Sequence, residues 1–149
     1  MFSENCLELI KQFEGFESHA YPDPQSGGEP YTIGYGFTRV NGRKVQPGDT
    51  MTREEADELF KSIVKKYNDY VLHYVKVPLT QNQEDALTCF VFNIGPWKFK
   101  NSTALRRLNK GDYHGGIEAV TWWVAPGTRV EKGLRKRREA EKKLFLGQL

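Results

Sequence analysis

Leu9-Ile10-Lys11-Gln12-Phe13-Glu14-Gly15 and, further on, Tyr31-Thr32-Ile33-Gly34-Tyr35-Gly36-Phe37-Thr38 decide how this chain folds. In the first stretch Leu9, Ile10 and Phe13 recur at helical spacing, and Cys6 extends their apolar stripe back toward Ser3. Serine accepts a backbone N–H well at a helix N-cap, and Gly15 is a usual C-terminal stop. The spacing therefore predicts a helix over 3–14 that ends on a carboxyl. The second stretch is β-branched and aromatic and reads as a strand. Around it Pro22, Pro24, Gly27, Gly28, Pro30, Pro47 and Gly48 break any helix between 16 and 50. Asn41-Gly42 marks a hairpin turn. This segment should be a small antiparallel sheet with loops.

Beyond it the pattern turns helical. Thr52 with Glu55, and Thr80 with Gln83, fit capping boxes. The first opens a long helix with Leu59, Phe60, Ile63, Val64, Tyr67, Val71 and Leu72 on its buried face. The second opens a helix to about Ile94 that is apolar nearly all round, as a core centre is. Gly95-Pro96 should end it, and helices over 102–110, 113–124 and 132–146 should follow. The expected fold is α+β: a small antiparallel β lobe and a larger helical lobe joined by a long helix, with a cleft between them. The 149 residues suit one domain spanning 1–149.

Composition narrows the function. Hydrophobic residues make up 38% and charged residues 28%, which excludes a disordered chain. No apolar run is long enough to span a membrane, and the N-terminal residues lack the pattern of a secretory signal. With 22 basic and 19 acidic residues, the net charge of +3 is too small to indicate nucleic-acid binding. Cys6 and Cys89 form neither a zinc nor a CxxC pattern, and two buried thiols are expected, with one disulfide as the rival reading. There is no P-loop, dinucleotide loop, GxSxG or metal-spaced histidine, so no cofactor and no metal are expected.

What remains is acidic. Glu14, at a helix C-terminus beside an apolar stripe, should be partly buried and face the negative end of the helix dipole. Both effects favour its protonated form, as a general acid requires. Asp23, in the stiff turn Tyr21-Pro22-Asp23-Pro24, should stay solvated and ionised. Two carboxyls in opposite protonation states are what glycoside hydrolysis uses.

The runs quoted above, with Ala20-Tyr21-Pro22-Asp23, resemble the phage-type lysozymes (endolysins) of glycoside hydrolase family 24, related to the T-even phage lysozyme. The likeness continues through Leu79-Thr80-Gln81, Phe90-Val91-Phe92-Asn93-Ile94-Gly95, Leu108-Asn109-Lys110-Gly111-Asp112-Tyr113, Trp122-Trp123-Val124 and the Arg137-Arg138 segment. It implies hydrolysis of the β-1,4 bond between N-acetylmuramic acid and N-acetylglucosamine in bacterial peptidoglycan. It implies Glu14 as the acid, Asp23 acting on the attacking water, and Thr32 holding that water or Asp23. Phe92, Asn93 and Ser102 become substrate-binding candidates. Core packing competes for Phe92, a helix-end bond for Asn93 and helix capping for Ser102. An inverting enzyme of this kind needs its carboxyls about 6.5–9.5 Å apart. Gln25-Ser26-Gly27-Gly28-Glu29-Pro30 is longer than in the shortest family members and could contact the glycan, and Phe37 stands where many have histidine.

With no signal or anchor pattern in the sequence, the chain is expected to accumulate in the host cytoplasm as a monomer that binds neither nucleic acid nor membrane stably, and the resemblance implies a separate holin-type pore through which it reaches the wall. Lys132, Arg135, Lys136, Arg137, Arg138, Lys142 and Lys143 crowd the last helix; a solvated face with pairs Glu131–Arg135 and Glu139–Lys143 competes with attraction to anionic envelope polymers. A non-catalytic wall-binding scaffold is opposed by intact Glu14, Asp23 and Thr32, a lytic transglycosylase by Asp23, and a nucleic-acid binder by the lack of any recognised module.

Overall fold

The computed structural model describes residues 1–148. The chain divides into two compact units, one of residues 10–63 and one of residues 1–9 and 64–149.

The 10–63 unit holds the end of α1 (Glu4–Glu14), β1 (Glu17–Tyr21), β2 (Thr32–Gly34), β3 (Arg39–Val40), β4 (Arg43–Lys44) and the start of α2 (Arg53–Tyr74). β1 pairs antiparallel with β2, setting Glu17 opposite Gly34 and Tyr21 opposite Thr32. β3 and β4 form the hairpin expected at Asn41-Gly42, whose φ values of 52° and 82° suit its turn. The strand expected over 31–38 is shorter than its composition suggests. After Gly34 the chain doubles back, and Ile33 and Phe37 exchange backbone bonds of 2.9 and 2.8 Å. Gly34 and Gly36, at φ +65° and +88°, make this tight return possible, and a Cβ on Gly34 would stand 2.7 Å from the Phe37 ring. Turn chemistry overrides β-propensity here.

The fold-back builds the core of this unit. Tyr35 lies 5.4 Å from Phe16, 6.2 Å from Phe37 and 5.0 Å from Phe60 between ring centroids. Ile33, Tyr35, Phe37, Val45, Met51 and Phe60 are all buried. A fully buried Phe60 contributes roughly 1.5–3 kcal/mol. The capping box at the start of α2 forms: Thr52 N–H donates to Glu55 Oε1 and Glu55 N–H to Thr52 Oγ1.

The other unit is helical: the rest of α2, then α3 (Gln81–Ile94), α4 (Pro96–Lys100), α5 (Thr103–Asn109), α6 (Tyr113–Val120) and α7 (Glu131–Phe145). α3 opens with the expected capping box and buries Ala86, Leu87, Cys89, Phe90 and Val91. It packs on α7. Both cysteines are free, buried thiols. Burial pushes the Cys6 thiol far above its ordinary value and also raises that of Cys89.

Several expectations are corrected. Ser3 does not cap α1 with its side chain: its hydroxyl and backbone N–H both donate to the buried Asp85 carboxylate. Gly95-Pro96 ends α3 but starts α4, because proline is well suited to a first helical turn. α6 stops at Val120 rather than 124. The cationic tail is not one solvated face. Arg137 and Arg138 are buried and both pair with the buried Glu141, and Arg137 Nη2 also donates to Cys89 O at 3.0 Å. Glu131 pairs with Arg135 at 2.7 Å as expected, whereas Lys142 meets Glu118.

Candidate active site

Glu14 is the last residue of α1. Gly15, at φ +71°, donates to Lys11 O at 3.0 Å and stops the helix there. The partial burial expected of Glu14 is not found: its side chain is exposed. Instead its carboxyl lies against the glycine turn. A Cβ placed on Gly36 would stand 3.0 Å from Glu14 Oε2 and 3.9 Å from Cδ. Only a residue without a side chain lets the turn approach the carboxyl this closely.

That turn is clamped to α1 by groups the sequence reading missed. The buried Tyr35, between the two glycines, donates its hydroxyl to Asp57 Oδ1 at 2.7 Å. Lys11 Nζ pairs with the same Oδ1 at 3.0 Å and sits 5.4 Å from the Tyr35 ring centre. Lys11 is three residues before Glu14, about one helical turn. Burial and the bond to Asp57 raise the Tyr35 pKa above the usual phenol value, and the Tyr35 hydroxyl is the main cause that lowers Asp57. The only sequence signal was an aromatic flanked by glycines; its partner on α2 is a tertiary matter.

Asp23 is half-buried in a closed turn. Its N–H donates to Gly28 O at 2.9 Å, and Gly27 N–H returns to Asp23 O at 2.8 Å. Its Oδ1 accepts Gln25 N–H at 3.2 Å, an Asx turn that fixes the carboxylate relative to the backbone. The longer segment Gln25–Pro30 thus forms the loop that holds Asp23, with Ser26 Oγ donating to Glu29 O at 2.8 Å. Thr32 is half-buried at the start of β2, opposite Tyr21, which lies two residues before Asp23. Glu14, Asp23 and Thr32 therefore share the 10–63 unit.

Phe92, Asn93 and Ser102 belong to the helical unit. Phe92 is half-buried with its ring centre 5.2 Å from that of Tyr67. Asn93 is exposed, but its Oδ1 accepts from the buried Arg138. Ser102 is buried. Its hydroxyl accepts Leu105 N–H at 3.1 Å, capping α5, and donates to Phe99 O of α4 at 2.7 Å. Among the described residues no group of three histidine, cysteine or acidic side chains could hold a metal, and no helix is long and apolar enough to cross a membrane.

Known proteins resemble this chain along nearly its whole length. The endolysin of Acyrthosiphon pisum secondary endosymbiont phage 1 is 42% identical over 147 residues, covering 96% of both chains. The solved endolysin from Escherichia coli O157:H7 phage FAHEc1 is 36% identical, covers 100% of this chain and 95% of its own, and superposes with a TM-score of 0.91. The muramidase domain of SpmX from Asticaccaulis excentricus is 37% identical, covers 98% of this chain and 97% of its own, with a TM-score of 0.86. The phage lysozyme pattern matches residues 11–141, which take in Glu14, Asp23 and Thr32 together with the buried arginines of α7. The chain belongs to the phage lysozyme family.

Proposed function

We propose that Glu14 and Asp23 are the acid and the base of this glycoside hydrolase, a phage muramidase that opens the bacterial cell wall. The bond cleaved is the β-1,4 link between N-acetylmuramic acid and N-acetylglucosamine. Glu14 protonates the glycosidic oxygen; Asp23 takes a proton from the attacking water; Thr32 holds that water or Asp23 in place. Phe92 and Asn93 are substrate-binding residues, and Ser102 fixes the start of α5. The chain acts as one catalytic domain and a monomer, made in the host cytoplasm and passed to the wall by a holin-type pore.

The observation that carries this reading is the close approach of Gly36 to the Glu14 carboxyl within the unit that also holds Asp23 in a hydrogen-bonded turn. A positioned acid and a positioned carboxylate are the two parts glycoside hydrolysis asks of a protein. Mass spectrometry of products released from purified murein in oxygen-18 water tests it. Reducing ends carrying one heavy oxygen are expected; anhydro ends without it would show a transglycosylase instead.

A further inference from the structure

Two charged residues of α2, Arg53 and Asp57, lie outside the acid–base pair and stand four positions apart, on one face of the helix. That face meets the chain on both sides of Glu14. Before Glu14, Asp57 Oδ1 pairs with Lys11 Nζ at 3.0 Å. After it, the Arg53 guanidinium lies over the Phe16 ring, 4.4 Å from the ring centre. Phe16 in turn packs against Tyr35, whose hydroxyl donates to the same Asp57 oxygen. Lys11, Phe16 and Tyr35 therefore all lead to one turn of α2. Glu14 lies between the first two in sequence, and Gly36 directly follows the third. All of these residues belong to the 10–63 unit.

An exposed carboxyl is not held in place by burial, and Gly15, at φ +71°, brings no side chain to restrain the chain beside it. The direction of Glu14 is left to contacts made by its neighbours. The Tyr35 hydroxyl first, then Lys11 and Arg53, hold the Asp57 carboxyl below its ordinary value, so it stays an anion near neutrality. The planar guanidinium of Arg53 fits flat over an aromatic face. We propose that Arg53 and Asp57 are positioning residues for the general acid, gripping the chain on either side of Glu14 so that its carboxyl stays against the Gly36 turn. The inference rests on the reading of Glu14 as the acid. Both residues act through the segment that carries Glu14 and not on the substrate, so their loss lowers turnover and leaves KM unchanged.

The test measures kcat and KM for reducing-end release from purified murein, with Tm in parallel. Arg53→Ala removes one contact. Asp57→Asn removes the other ion pair, while its amide oxygen can still accept the Tyr35 hydroxyl. Thr52→Ala is the control: it deletes the capping bond at the start of the same helix and touches neither contact. A displacement of a full ångström costs roughly a hundredfold, so a shift of a few tenths should lower kcat about threefold to tenfold in each single variant, with KM near its wild-type value. The double variant should lose more than either. Thr52→Ala should lose Tm and keep wild-type kcat. Phe16→Leu, which stays apolar but offers no ring face, should match Arg53→Ala, and combining the two should lower kcat no further. Wild-type kcat in either Arg53→Ala or Asp57→Asn, an equal fall in Thr52→Ala, or a change confined to KM overturns the proposal. Glu14→Gln in the same assay keeps the two readings apart. Wild-type turnover there removes the acid assignment itself, whereas inactivity there beside wild-type turnover in Arg53→Ala removes only the positioning role.

Discussion

Gly36→Ala separates two things that one glycine does. Its φ of +88° disfavours any L-residue, and the added methyl would stand 3.0 Å from Glu14 Oε2. The backbone term alone costs about 1–2 kcal/mol, offset by about 0.4–1 kcal/mol because alanine restricts the unfolded chain. The net loss is about 1 kcal/mol, which lowers Tm by about 2–4 °C in a domain of this size. The methyl contact acts separately: the carboxyl must give way by a few tenths of an ångström. A 1 Å misplacement can cost roughly a hundredfold, so this smaller shift should lower kcat about threefold to tenfold. Gly48→Ala is the matched control, with φ +89° and nothing within 4 Å of the added Cβ. Calorimetry should give both variants similar losses of Tm, and reducing-end assays should give only Gly36→Ala the loss of kcat. Equal kcat in the two variants would refute the claim that the Gly36 turn sets the position of Glu14.

Tyr35→Phe keeps the ring and removes the hydroxyl bonded to Asp57. A bond to a charged group is worth roughly 1.5–3 kcal/mol, and screening at the one-third-exposed Asp57 reduces this to about 1 kcal/mol. Asp57 has a lowered pKa in the fold, so its contribution is present above the unfolded carboxyl value and is lost as pH falls through the folded one. Urea titrations should therefore show the deficit of Tyr35→Phe near neutrality and its shrinkage in acid; a deficit that grows in acid would contradict the pairing. Glu141→Gln leaves Arg137 and Arg138 buried without their shared carboxylate and should cost about 3–5 kcal/mol in chemical denaturation. A loss below about 1 kcal/mol would mean that the arginines reach other partners or water.

Most of the fold was legible because it rests on local signals. Capping boxes at Thr52 and Thr80, the hairpin at Asn41-Gly42 and the stop at Gly15 each act within a few residues, and all four form. Ser3 and the tail arginines were misread for one reason: their partners lie far away in sequence. Ser3 serves Asp85, and Arg137 and Arg138 serve a buried network with Cys89, Asn93 and Glu141. In a sequence such residues look like a cap and a solvated cationic face; in the fold they satisfy one another. The strand over 31–38 was misread because composition outweighed the two glycines that reverse it.

The candidate site follows the same rule. Glu14 and Asp23 could be singled out from a helix end and a proline-flanked turn. The means of holding Glu14 could not: an exposed carboxyl backed by a bare glycine turn, with Tyr35 tied through Asp57 to Lys11, replaces the expected burial.

The most direct test of the acid–base assignment is the rate of reducing-end release from purified murein by Glu14→Gln and by Asp23→Asn, each with its Tm measured in parallel. With Tm near the wild-type value, each should lose about 10²–10⁴-fold in kcat, the usual contribution of a positioned proton-transfer group. A folded variant of either kind that retains wild-type turnover would contradict the assignment.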